Sequence, residues 1–153
     1  MEHEKSNVPP FLLQARRYVR AAKWGFENML RNEPMGAAFH FHIIGIFAIL
    51  RAVQSVTKEH DRWLSPKHAA AVTLWEKRTA NWRDIPEVSF LKEARDRALK
   101  DGTLSAWATT TEGETGYDLA YYDAYGDRHD LEAKLSSAIE WCEKQIAEIE
   151  KSL

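Results

Sequence analysis

The chain of 153 residues has one cysteine, Cys142. That excludes an intrachain disulfide and any zinc site built on paired cysteines. Glycine is scarce, with seven in all, and the glycine-based fingerprints are missing: there is no GxSxG elbow, GxxxxGK[ST] loop or GxGxxG turn. The five prolines sit where periodic stretches begin or break. The N-terminal MEHEKSNVPP is polar and mixed in charge, with no basic patch followed by an apolar stretch. It does not read as a secretory signal, and the expectation is a cytoplasmic protein.

Net charge is also small, at −2, but it is unevenly placed. Residues 1–100 carry 17 Lys+Arg against 11 Asp+Glu, whereas residues 101–153 carry 4 against 12. A basic front and an acidic back attract one another within a molecule or between copies. They do not suit a polyanion wrapped by the whole chain, which calls for a basic domain.

The most apolar run is FHFHIIGIFAILRAVQSV, residues 39–56. Phe39, Ile43, Ile46, Leu50 and Val53 recur at steps of four and three, the period of a helix face. Ile44, Phe47 and Ala48 lie off that seam and are apolar too, so burial on more than one side is expected. His40 and His42 at one end, and Arg51, Gln54 and Ser55 at the other, leave less than the roughly 20 apolar residues a membrane span needs. The spacing predicts a central bundle helix from about Met35 to about His60, with no membrane partner.

Around it the pattern predicts four more helices. Pro9 and Pro10 open the first, which ends near Leu30 with Phe11, Ala15, Tyr18, Ala22, Phe26 and Met29 on one face. Ser65-Pro66 starts a third, running to about Trp82. Asp84-Ile85-Pro86 connects to a fourth, Glu87 to Lys100, stopped by Gly102. Asp130 caps a last helix striped by Leu135, Ile139, Cys142, Ile146 and Ile149. Between 103 and 126 the texture changes, with β-branched and aromatic residues, a two-glycine turn, and alternation at Tyr117, Leu119 and Tyr121; this predicts a β-hairpin or extended flap. The whole chain, 1–153, reads as one mainly α domain, a four- to five-helix bundle, long enough to bury roughly 70% of its unfolded surface without a staple.

Candidate chemistry is sparse. His40 and His42 point about 200° apart on a helix and cannot share an ion. Glu59, His60, Asp61 and His68 supply possible ligands, but not at a spacing that puts them on one face. Cys142 lies on an apolar stripe and reads as a small core residue rather than a nucleophile. Neither a catalytic set, a metal site nor a cofactor site emerges. Two binding features do. Arg16, Arg20 and Lys23 share a face of the first helix and suit phosphate contacts. Trp75, Trp82 and Tyr121 suit an aromatic ligand pocket, with 103–126 as its lid.

FHFHIIGIFAILRAVQSV followed by FLKEARDRALKDG resembles the long-helix-then-arginine pattern of HEPN-like proteins, over about residues 35–102. The resemblance implies a small helical bundle, a homodimer, and a place in RNA-targeting, toxin–antitoxin or other defence systems. Active members carry an Arg, four to six spacer residues and a His. Arg95 takes the arginine position, and Lys100, Asp101 and Gly102 stand where histidine would; counted from Arg97 they are Gly102, Thr103 and Leu104. The histidine is missing in both registers, which implies a non-catalytic binding or regulatory protein, with RNA or a partner protein as ligand and Arg95 among its contacts. The alternatives are a small-molecule-binding or sensory bundle and a purely structural homodimer.

Overall fold

The structure, a computed structural model, describes residues 8–31, 36–80, 84–99, 106–109 and 118–153. Helix α1 spans Leu13–Arg31 and buries Ala15, Val19, Ala22, Phe26 and Met29, again at steps of four and three. Helix α2, Gly36–Glu59, lies in the middle of the core. Its expected seam is buried throughout, and Phe47, Val56 and Thr57 join it. A methyl group on Gly25 would lie 3.4 Å from Ile46 Cγ1, so this glycine lets α1 ride close on α2. By length and composition the stretch Phe39–Leu64 would pass for a membrane span, with a mean hydropathy of 1.5 over its best window. Here its seam faces the other helices of the bundle.

A 3-10 turn, Asp61–Leu64, leads into α3, Pro66–Arg78. Ser65 caps α3 by accepting the His68 N–H, with Pro66 at the first helical position, as the Ser-Pro pair predicts. This helix ends at Arg78, short of the expected Trp82. Both the backbone N–H and the hydroxyl of Thr79 donate to the Trp75 carbonyl, closing the last turn. Trp82 lies outside the described residues. Helix α4, Pro86–Leu99, and α5, Leu131–Glu150, match their expected positions. Asp130 caps α5 by accepting the Ala133 N–H.

The flap is a small antiparallel sheet. Strand β1 (Ala106–Thr109) pairs with β2 (Asp118–Tyr122), with Ala106 opposite Tyr121, which makes the expected hairpin. A third strand the periodicity did not announce, β3 (Arg128–Asp130), pairs with the other edge of β2. Its turn is built by Asp123, whose carboxylate accepts the N–H groups of Tyr125 and Asp127. Gly126 supplies the positive φ of 83° that closes it. Because His129 hydrogen-bonds to Asp123, that carboxyl is held below its usual range, helped by the two backbone donors. The sheet docks by aromatic edges: Tyr121 meets Phe90 at 5.0 Å between centroids, and Phe90 meets Phe47 at 5.8 Å. Arg97 donates to the Tyr122 carbonyl and Glu93 accepts the Ala124 N–H, so α4 also holds the strand by its backbone.

The start of α1 is tied down from two distant places. A helix leaves its first N–H groups without intrahelical acceptors, and here two carboxylates supply them. Asp61, fully buried, accepts from Gln14 N at 2.9 Å and Ala15 N at 2.8 Å. Glu150, at the end of α5, accepts from Leu12 N at 2.9 Å and from both Nε and Nη2 of Arg16. His68 adds a third tie. Its Nε2 lies 3.1 Å from the Phe11 carbonyl, which can only accept, so Nε2 carries the proton and Nδ1 accepts the Ser65 hydroxyl.

Two substitutions test this packing. Ile46, 2% exposed, sits where α1 crosses α2. Ile46→Asp is expected to unfold the protein or break its assembly, a loss above about 4 kcal/mol; a folded, unaltered variant by circular dichroism and light scattering would contradict the core assignment. Asp61→Ala strands two N–H groups, one buried and one part-buried, and should cost about 3 kcal/mol in urea unfolding, with Asp61→Asn losing about half as much because one acceptor oxygen survives.

Candidate binding surface on the first helix

The stripe of Arg16, Arg20 and Lys23 lies along a groove between α1 and α5, about 530 Å³ in volume and floored by Val19 and Ile146. A second hollow of about 250 Å³ continues it toward Phe26 and Ile139. The groove's far wall is acidic, and it separates the three cations. Arg16 is held bidentately by Glu150, whose hydrogen bonds raise the guanidinium pKa against the opposing effect of burial. Lys23 pairs with Glu143 at 3.5 Å. Arg20 is exposed and makes no ion pair with a described residue. Of the three residues the sequence marked, two are thus engaged by carboxylates of α5.

What the structure adds is a strip of α1 that runs along the groove's rim, with Arg20, Trp24 and Glu27 among the groove's lining. Arg17, Arg20, Trp24, Glu27 and Arg31 step by three, four, three and four, and all five are exposed. They share one face for about 21 Å of helix. Trp24 is 66% exposed, an unusual state for so large an apolar side chain. Arg17 and Arg31, like Arg20, lack ion-pair partners among the described residues. The signal was present in the sequence: Trp24 stands four residues after Arg20, hence on the same face. The interval of seven between Trp75 and Trp82 was the more conspicuous pattern.

Other marked residues fall elsewhere. Arg95 stands on α4, paired with Asp96 at 3.1 Å. It faces Arg51 of α2, whose pKa is lowered first by burial and then by Arg95, with Asp96 opposing. This polar cluster between α2 and α4 is separate from the α1 stripe. Positions 100–104, where a HEPN histidine would stand, lie outside the described residues. Trp75 and Tyr121 are core residues at opposite ends of α5. Trp75 donates its indole N–H to Gln145 Oε1 at 2.8 Å, while Tyr121 packs beside His129, just ahead of the helix. The Tyr121 hydroxyl is pushed up to about 12, by burial first and by Glu93 second.

Among the described residues no three His, Cys, Asp or Glu side chains gather to hold a metal ion. Of the possible ligands the sequence offered, Asp61 and His68 are committed to the backbone groups at the start of α1. Cys142 is buried among the α5 stripe, and burial drives its thiol up to about 12, far from a reactive thiolate. Compared with known proteins, the chain matches no family model, and neither a curated protein nor a solved structure resembles it significantly.

Proposed function

We propose that this chain is a cytoplasmic, non-catalytic, HEPN-like binding protein whose ligand is single-stranded RNA, held on the outer face of α1. The observation that carries the reading is the exposed run Arg17, Arg20, Trp24, Arg31. Proteins that hold single strands combine cations that track phosphates with aromatic faces on which bases stack. One helix face offers both here, and among the described residues no carboxylate pairs with its three arginines. The groove beside it gives an unstacked base somewhere to lie.

Fluorescence anisotropy with a labelled single-stranded RNA tests this. Binding should weaken steeply between about 50 and 200 mM salt, with a log–log slope near about −2 for three single-strand phosphate contacts. Trp24→Ala should weaken it about tenfold, within the roughly 1–3 kcal/mol of one base stack. Arg17→Glu with Arg20→Glu should abolish it at moderate salt. No binding at low salt, or indifference to these changes, overturns the reading.

A second observation bears on assembly. The side of α2 turned away from the core presents Phe41, Gly45, Ala48, Ala52 and Ser55 at steps of four, three, four and three. Phe41 is 77% exposed, and a Cβ on Gly45 would meet no described atom within 4 Å. This uncharged face, Phe41 followed by four small residues, suits close packing against the same face of a second copy, and we propose a homodimer through it. Light scattering should then give twice the chain mass, and Ala48→Glu should return the monomer with its helicity intact. A monomer at every concentration sinks the dimer.

A further inference from the structure

The α1 stripe contains one residue that works against a polyanion. Glu27 sits between Trp24 and Arg31 on the same exposed face, and its carboxylate makes neither an ion pair nor a side-chain hydrogen bond with a described residue. It lines both hollows of the α1–α5 groove. On a surface that served only to attract phosphates this charge would repel the ligand, which raises the question of what it contacts when the ligand is bound.

We infer that Glu27 reads the edge of a base stacked on Trp24 and selects guanine, an inference that rests on the RNA reading of α1. Residues three apart on a helix are neighbours, with Cβ atoms about 5–6 Å apart, so the carboxylate lies at the rim of a base covering the indole. A carboxylate only accepts hydrogen bonds. Guanine alone offers two adjacent donors, N1–H and the N2 amino group, in a fork that a carboxylate meets with both oxygens. Adenine and cytosine set a ring-nitrogen acceptor beside their amino group, and uracil flanks its single N–H with two carbonyl oxygens. Each of these turns a lone pair toward the anion. Arg20, one turn before Trp24, is placed for the phosphate of the same nucleotide.

The test uses the full-length protein and short uridine oligomers, one set with a single central guanine, others with adenine or cytosine there. The guanine oligomer should bind about tenfold more tightly than the all-uridine one, the scale of one good bidentate base contact. Glu27→Gln, at an exposed position with no ion pair or side-chain hydrogen bond to a described residue, should erase that preference while leaving all-uridine affinity equal or higher, since a repulsive charge is gone. Equal binding of all oligomers by the unmodified protein, or a guanine preference that survives Glu27→Gln, overturns the selectivity and leaves the RNA reading standing. Absence of binding to every oligomer overturns both.

Discussion

The start of α1 is a cluster of unpaired backbone donors, and the rest of the molecule is arranged around satisfying them. Leu12, Gln14 and Ala15 give their N–H groups to Glu150 and Asp61. Those acceptors lie 138 and 47 or 46 residues away along the chain. The caps favoured at helix starts are local, with the acceptor on the residue just before the first turn. Here the acceptors come from the turn after α2 and the last turn of α5, so capping α1 also fixes where both neighbours sit. Negative charge at a helix N-terminus is favourable in its own right. The direction of α1 follows from these ties, and with it the line along which Arg17, Trp24 and Arg31 face solvent.

Much of this fold was legible in the sequence because periodicity reports burial directly. The α2 seam is visible at steps of four and three, and the Ser-Pro and Asp caps of α3 and α5 are written in local residue types. The misses have a shared cause, dependence on contacts between distant segments. Asp61 and His68 look like loop polarity until Gln14, Ala15 and Phe11 are brought beside them. Strand β3 is too short, at three residues, to show an alternation, and exists because β2 offers it an edge. The end of α3 is a local exception, where both the N–H and the hydroxyl of Thr79 turn back on the Trp75 carbonyl four residues earlier. In the binding surface, sequence spacing placed Arg16, Arg20 and Lys23 on one face. Only the position of α5 shows that two of them face its carboxylates, while Arg20 has no ion pair among the described residues.

The opposed charges of the two chain halves meet across the α1–α5 and α3–α5 contacts, in Arg16–Glu150, Lys23–Glu143 and Arg78–Glu148. Exposed pairs of this kind contribute about 0–1 kcal/mol each. The groove is therefore held mainly by the apolar side chains at its floor, with the ion pairs setting register. Their larger consequence is subtractive. By engaging Arg16 and Lys23 on the inner edge of α1, they leave Arg17, Arg20 and Arg31 on its outer edge without ion-pair partners among the described residues.

On the proposed RNA reading, a strip with three arginines and one indole would be a modest site taken singly, since each phosphate contact is weakened by salt. Its strength changes if the outer face of α2 is covered by a second copy. An isologous pair carries the same strip twice in fixed relation. A strand long enough to reach both would make its second contact within the complex, at an effective concentration set by the span, without any new contact being needed. The same helix that supplies the core seam through Ile43, Ile46 and Leu50 would then set the spacing of the two surfaces through Gly45, Ala48 and Ala52 on its opposite side. Apolar residues on both sides of α2, more than one small bundle needs for its own core, have a physical use on that arrangement.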